Sequence, residues 1–108
     1  MKTCWVNFDP SGVLTINDSS GIDSIIDNGT GDFTINFSSP FPNTNYLELY
    51  NSSRFATARG TAHVGVKLND AATYKTTSSV TITVYLSNSS GSNALIYDTQ
   101  SVSCLFAG

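Results

Sequence analysis

The sequence predicts an all-β fold, a small antiparallel β-sandwich of about seven or eight strands. Three observations predict it. Apolar and polar residues alternate with a period of two in run after run. No stretch of helical length carries an apolar stripe at 3.6-residue spacing, and the runs are punctuated by Gly, Pro, Asn and Ser. With 108 residues, the chain has the size of one domain with one modest core, spanning residues 1–108.

The elements follow in order. Thr3–Phe8 and Ser101–Phe106 read as the first and last strands, with Cys4, Val6, Phe8 and Val102, Cys104, Phe106 in the inward phase. Val13–Asn17 and Ile22–Ile26 are shorter candidates, separated by a Ser19-Ser20-Gly21 turn. Asp27-Asn28-Gly29-Thr30-Gly31-Asp32 offers residues that tolerate positive φ, so a tight hairpin joins Ile22–Ile26 to Asp32–Phe37, whose Phe33, Ile35 and Phe37 point inward. Ser38–Asn43 holds Pro40 and Pro42, which lack an amide donor, and is expected to be an extended connection.

In Asn45–Tyr50, Leu47 and Leu49 fall on one face and Tyr46 and Tyr50 on the other, as suits a strand covered on both sides, with the tyrosines as the candidates for outward rings. Ala62–Leu68 is expected to bury Val64, Val66 and Leu68. Ser79–Leu86 is the cleanest run, with Val80, Ile82, Val84 and Leu86 inside and Thr81, Thr83 and Tyr85 outside. Arg54–Gly60 and Asn69–Thr77 are irregular and suit a turn of helix or a loop, and Asn88–Asn93 reads as an exposed loop.

The chain is 40% hydrophobic but only 12% charged, with Ser, Thr and Asn over-used, so its surface is polar without being charged. Five basic residues against eight acidic ones, for a net charge of −3, cannot supply the cationic stripe that a phosphate backbone requires, and nucleic acid is not expected as a partner. No window reaches the roughly 18 consecutive apolar residues of a membrane-spanning helix. Cys4-Trp5-Val6-Asn7-Phe8-Asp9 after Met1-Lys2-Thr3 interrupts any secretory apolar stretch, so neither membrane nor secretion is expected. The five Asn-x-Ser/Thr sequons, at Asn17, Asn28, Asn36, Asn51 and Asn88, are then products of composition.

Chemistry-bearing groups are few. His63, the single histidine, has the opposite phase to Val64 and Val66 and reads as a surface residue rather than a general base. Cys4 and Cys104 leave two readings open. A disulfide would close nearly the whole chain into a loop, whereas their inward phase favours buried free thiols. Asp18, Asp23, Asp27 and Asp32 flank turns but lack the fixed spacing of a calcium loop, and turn capping accounts for them. Phosphate-cradling glycine loops and zinc spacings are absent, so no catalytic residue, cofactor or metal is expected. Exposed aromatic rings suit either sugar stacking or a protein interface, and the interface reading is preferred for Tyr46, Tyr50 and Tyr85.

Cys4-Trp5-Val6-Asn7-Phe8-Asp9, Ile25-Ile26-Asp27-Asn28-Gly29-Thr30-Gly31-Asp32-Phe33-Thr34-Ile35-Asn36-Phe37 and Pro42-Asn43-Thr44-Asn45-Tyr46 together resemble a domain recurrent in bacteriophage tail-fibre-like and other virion proteins. The resemblance spans about the first half of the chain and brings no catalytic residues. It implies a virion structural role, with synthesis in the host cytoplasm and residence on the virion surface. Because Met1 opens directly into the domain and no repetitive shaft follows, a capsid decoration or cement protein is expected ahead of a tail or tail-fibre component contacting a host receptor or glycan. The partners would be the major capsid protein or other virion proteins, with self-association, here taken as a trimer, to cover strand edges. Arg54 and Arg59, the only arginines, are the remaining candidates for contacts to a neighbouring chain. An enzyme such as a glycan hydrolase and a generic sugar-binding module are the lesser alternatives.

Overall fold

A computed structural model describes residues 1–53, 61–68, 73–87, 94–96 and 99–108. Among them the chain is all strand: β1 (Thr3–Asp9), β2 (Thr15–Ser20), β3 (Ile22–Gly29), β4 (Asp32–Phe37), β5 (Leu47–Ser53), β6 (Thr61–Val66), β7 (Ser79–Ser87), β8 (Ala94–Ile96) and β9 (Ser101–Ala107). Two antiparallel sheets form the sandwich. One has the order β2-β1-β9-β5, the other β3-β4-β7-β6, with the three-residue β8 beside β7 beyond the end of β4. No described helix is long and apolar enough to cross a membrane.

The core lies where the alternating pattern puts it. Cys4, Val6 and Phe8 of β1 and Val102, Cys104 and Phe106 of β9 face Phe33, Ile35 and Phe37 of β4 and Val80, Ile82 and Val84 of β7, all buried. Phe8 and Phe33 meet edge to face across the two sheets, with ring centroids 5.3 Å apart. The first and last strands pair with each other, Val6 opposite Cys104, and the ends are clasped by mutual Lys2 and Gly108 backbone bonds of 2.6 and 2.9 Å.

The β3–β4 hairpin forms as its turn residues require. Gly29 pairs with Asp32 around Thr30-Gly31, both glycines have positive φ, and the Asp27 carboxylate accepts the Gly29 amide at 3.0 Å. Four expectations are corrected. β2 does not stop at Asn17 but runs to Ser20, held by Ser19 opposite Val6 and Ser20 opposite Trp5, so the expected Ser19-Ser20-Gly21 turn shrinks to a corner at Gly21. Likewise β3 extends beyond Ile26 to Gly29. Leu68 is 91% exposed rather than buried, because pairing to β7 ends with the Lys67 amide on the Thr81 carbonyl and Lys75 then takes over the edge opposite Val80. Finally, β5 is inverted relative to expectation: Tyr46, just before the strand, and Tyr50 point into the sandwich and the leucines point out.

The expectations for residues 54–60, 69–72 and 88–93 lie outside the described residues.

Candidate functional site

The inversion at β5 creates the most distinctive surface of the molecule. With the tyrosines turned inward, Leu47 and Leu49 stand 67% and 65% exposed on the outer face of the β2-β1-β9-β5 sheet. Register then lines up residues from neighbouring strands. Trp5, Leu105 and Leu49 form one row across β1, β9 and β5, while Thr3, Ala107 and Leu47 form the next row toward the chain ends. A third row, Asn7, Ser103 and Asn51, lies on the other side. Trp5 and Leu105, flanked by strands on both sides, are each still more than a third exposed.

Between the apolar and amide rows lies a shallow depression of about 280 Å³, with Trp5, Asn7, Leu49, Asn51, Ser103 and Leu105 around it. Its polar rim is held by hydrogen bonds: Asn7 Nδ2 donates to Ser103 Oγ at 2.8 Å and to Ser101 Oγ at 3.1 Å, and Asn17 Nδ2 donates to Asn7 Oδ1 at 2.8 Å. None of the nine residues in the three rows is charged. An aromatic ring and leucines in the middle of an uncharged field are the composition of a protein interface centre.

The opposite outer face, on β3-β4-β7-β6, is made differently. Thr34 and Thr81 share a hydroxyl hydrogen bond of 2.8 Å, Asn28 Nδ2 donates to Thr34 Oγ1 at 2.9 Å, and Lys67 pairs with Asp32 at 2.7 Å. These polar groups satisfy one another and suit contact with water. Tyr85 sits on this face as expected, its ring stacked on His63 at 5.2 Å.

The candidate residues read from sequence are therefore scattered. Tyr46 is 3% exposed, packed on Phe37, Phe41 and Phe106, and its hydroxyl donates to the Thr76 carbonyl at 2.8 Å, so it presents no ring to a partner. Tyr50 is half-buried against Phe106. Tyr85 is on the other sheet, and Arg54 and Arg59 lie outside the described residues. Trp5, Leu47, Leu49 and Leu105 were missed. A signal for two of them was present, since Trp5 and Leu105 occupy the outward phase of strands whose inward phase was already assigned.

Among the described residues, no group of three or more His, Cys, Asp and Glu is arranged to hold a metal ion. The four turn carboxylates, for which calcium was considered, are engaged locally: Asp18 accepts the Ser19 amide at 2.9 Å, Asp23 the Ser24 hydroxyl at 3.4 Å and Asp27 the Gly29 amide at 3.0 Å, and Asp32 takes Lys67 and the Asn28 amide group.

Cys4 and Cys104 are buried free thiols. They lie diagonally across β1 and β9, a relation that separates Cα atoms by about 7–8 Å, beyond comfortable disulfide reach. Burial pushes both thiols up, Cys104 to about 12. In the native protein a disulfide-exchange reagent at pH 8 should therefore find no reactive thiol, and two after unfolding in urea. One or no thiol released on unfolding would contradict this. The sign of the linkage adds a second expectation. The unfolded Cys104 thiol ionises near 9 while the folded one stays neutral to about 12, so folding stability is fully retained below pH 9. Above it, stability should fall by about 1.4 kcal/mol per pH unit for this group. Tyr46, raised to about 12 by burial and by the Glu48 charge, acts in the same direction. Urea midpoints that stay constant from pH 8 to 11 would exclude it.

Fold and surface together define a β-sandwich with one outer face that is mostly polar but carries the half-exposed Ile26, and one whose centre across β1, β9 and β5 is uncharged and partly apolar, with Asp18 on the neighbouring β2. The chain matches no family model, no curated protein and no solved structure.

Proposed function

We propose that the chain is a non-enzymatic bacteriophage virion structural protein, a capsid decoration or cement protein that binds the outer surface of the shell and stabilises it. The observation that carries this reading is the uncharged Trp5–Leu105–Leu49 field on one sheet, set against a hydrogen-bonded polar field on the other. Such a molecule has one side suited to a protein surface and one suited to water. The resemblance of its first half to virion domains supports the setting.

Burying an exposed leucine is worth about 1.5–3 kcal/mol at most, so a single contact of this size is weak. Many copies on one shell change the balance, because each copy that binds the assembled state and not its parts stabilises the assembly by mass action. Quantitative mass spectrometry of purified particles tests the proposal: the chain should be present at capsid-scale copy number. A tail-scale copy number, or absence from the particle, would overturn it. Trp5→Ala, which removes the ring from the middle of the field, should lower particle occupancy at least tenfold with the far-ultraviolet circular dichroism unchanged.

One observation favours a second reading, a tail or tail-fibre component that contacts a host glycan. The depression beside Trp5 has an apolar wall and an amide and hydroxyl wall, the two surfaces a pyranose ring presents. Glycan-array binding that Trp5→Ala abolishes, together with tail-scale copy number, would favour that reading.

A further inference from the structure

Asparagine is a chemically labile residue, and the β3–β4 hairpin places one in a setting the others lack. Asn7, Asn36 and Asn51 each sit opposite a partner within a strand ladder. At the hairpin, Asp27 lies opposite Phe33 and Gly29 opposite Asp32, so Asn28 between them is the extra residue of a β-bulge and has no partner across the ladder. It is exposed, and its carboxamide is held by two side chains at the surface, Nδ2 donating to Asp32 Oδ1 at 3.2 Å and to Thr34 Oγ1 at 2.9 Å.

Asn28 is also the single asparagine in the sequence that precedes a glycine. That neighbour matters, because an asparagine reacts unaided when the next backbone nitrogen attacks its side-chain carbonyl carbon and closes a five-membered ring. A side chain on the following residue obstructs the approach; glycine leaves it open. Gly29 has a φ of +138°, and the place where a Cβ would stand is empty to 4 Å. Its N–H is moreover already aimed at a base, donating to Asp27 Oδ1 at 3.0 Å.

We propose that Asn28 is a site of self-modification, converting in the folded protein to aspartate and isoaspartate. The Gly29 nitrogen bonds to Asn28 Cγ as its proton passes to the Asp27 carboxylate, which returns it to solvent. The Cγ–Nδ2 bond breaks, and the NH2 group takes a proton from water and leaves as ammonia. Water then opens the succinimide: addition at Cγ gives aspartate, and addition at the Asn28 backbone carbonyl carbon gives isoaspartate. One ammonia is lost, one water is gained, and nothing is oxidised or reduced.

The product alters the hairpin. A carboxylate at position 28 gives up both donated bonds and faces the Asp32 carboxylate, and the isoaspartyl link lengthens the backbone at the bulge. Asp32 also holds Lys67, just past the end of β6, so the disturbance reaches a second strand. All of this lies on the sheet opposite the Trp5 field, and the inference does not rest on attachment to a virion. Asn17 provides a comparison within the molecule. It too is left out at a bulge, between Ile16 opposite Phe8 and Asp18 opposite Asn7, but the residue after it carries a side chain and a negative charge.

The test is peptide mass spectrometry of the purified, folded full chain held at about pH 8 and about 37 °C for several weeks, with enzymatic methylation of isoaspartate as a second readout. Conversion at Asn28 should exceed that at Asn17, Asn43 or any other asparagine at least tenfold, with isoaspartate among the products. Asn28→Gln, which would have to close a six-membered ring, should abolish it. Asp27→Asn keeps an acceptor oxygen for the Gly29 amide but removes the base, and should slow conversion severalfold. Fully converted protein should unfold at lower urea than fresh protein, a loss that aged Asn28→Gln should not show. An Asn28 that stays intact in the folded chain and converts only in urea would overturn the proposal, as would equal conversion at Asn17 or an unchanged rate in Asp27→Asn.

Discussion

Replacing Phe106 with alanine is expected to cost about 3–5 kcal/mol, the largest effect of any single change considered for this protein. Phe106 is fully buried on β9, at the meeting point of the aromatic cluster: its ring lies 5.0 Å from Phe37, 6.2 Å from Tyr46 and 5.9 Å from Tyr50, each edge to face. Truncation removes the ring and leaves a cavity whose walls are held by both sheets, so little collapse can repair it. Domains of this size hold only about 5–15 kcal/mol in total, so the variant should melt about 15–30 °C lower by circular dichroism. Leu49→Ala on the same sheet, two-thirds exposed, should stay within about 0.5 kcal/mol. Equal losses at the two positions would mean that the two faces of the sheet have been assigned wrongly.

Gly21→Ala is the second large effect. Gly21 is the single residue between β2 and β3, where the chain leaves one sheet for the other, and its φ of +74° is one that L side chains avoid at a cost of about 1–2 kcal/mol. A methyl group there would also lie 2.7 Å from Cys4 Cβ and 3.5 Å from Cys4 Cα. Cys4 cannot yield easily, being buried and paired with Phe106, so the backbone corner must open. The sum should reach about 2–4 kcal/mol in a urea titration. Gly12→Ala separates the two causes: φ is similar at +64°, but nothing lies within 4 Å of the added methyl, so about 1 kcal/mol is expected. If Gly12→Ala costs as much as Gly21→Ala, crowding against Cys4 has no role.

Much of the fold was legible because burial on one side of a strand writes itself into every second residue. Phe33, Ile35 and Phe37, and Val80, Ile82 and Val84, are apolar on one phase only, and each is buried. The β3–β4 turn was legible from Asn28-Gly29-Thr30-Gly31, since the chain needs positive φ there and glycine supplies it. The candidate face was not. Around Tyr46-Leu47-Glu48-Leu49-Tyr50 both phases are apolar, so alternation alone cannot say which side goes in. What decides it is a neighbour thirty residues away in sequence for Tyr46, whose hydroxyl needs the Thr76 carbonyl, and more than fifty for Tyr50, which packs on Phe106.

From the sequence by itself came the β class, the strand phases of β1, β4, β7 and β9, the hairpin and the inward thiols, because each follows from local periodicity or from the φ a residue tolerates. Only the tertiary structure decided that Leu47 and Leu49 face out, that Trp5, Leu105 and Leu49 share a row, and that Glu48 meets Lys75. Register between strands far apart in the chain sets those relations, and register is a property of pairing that no single strand carries.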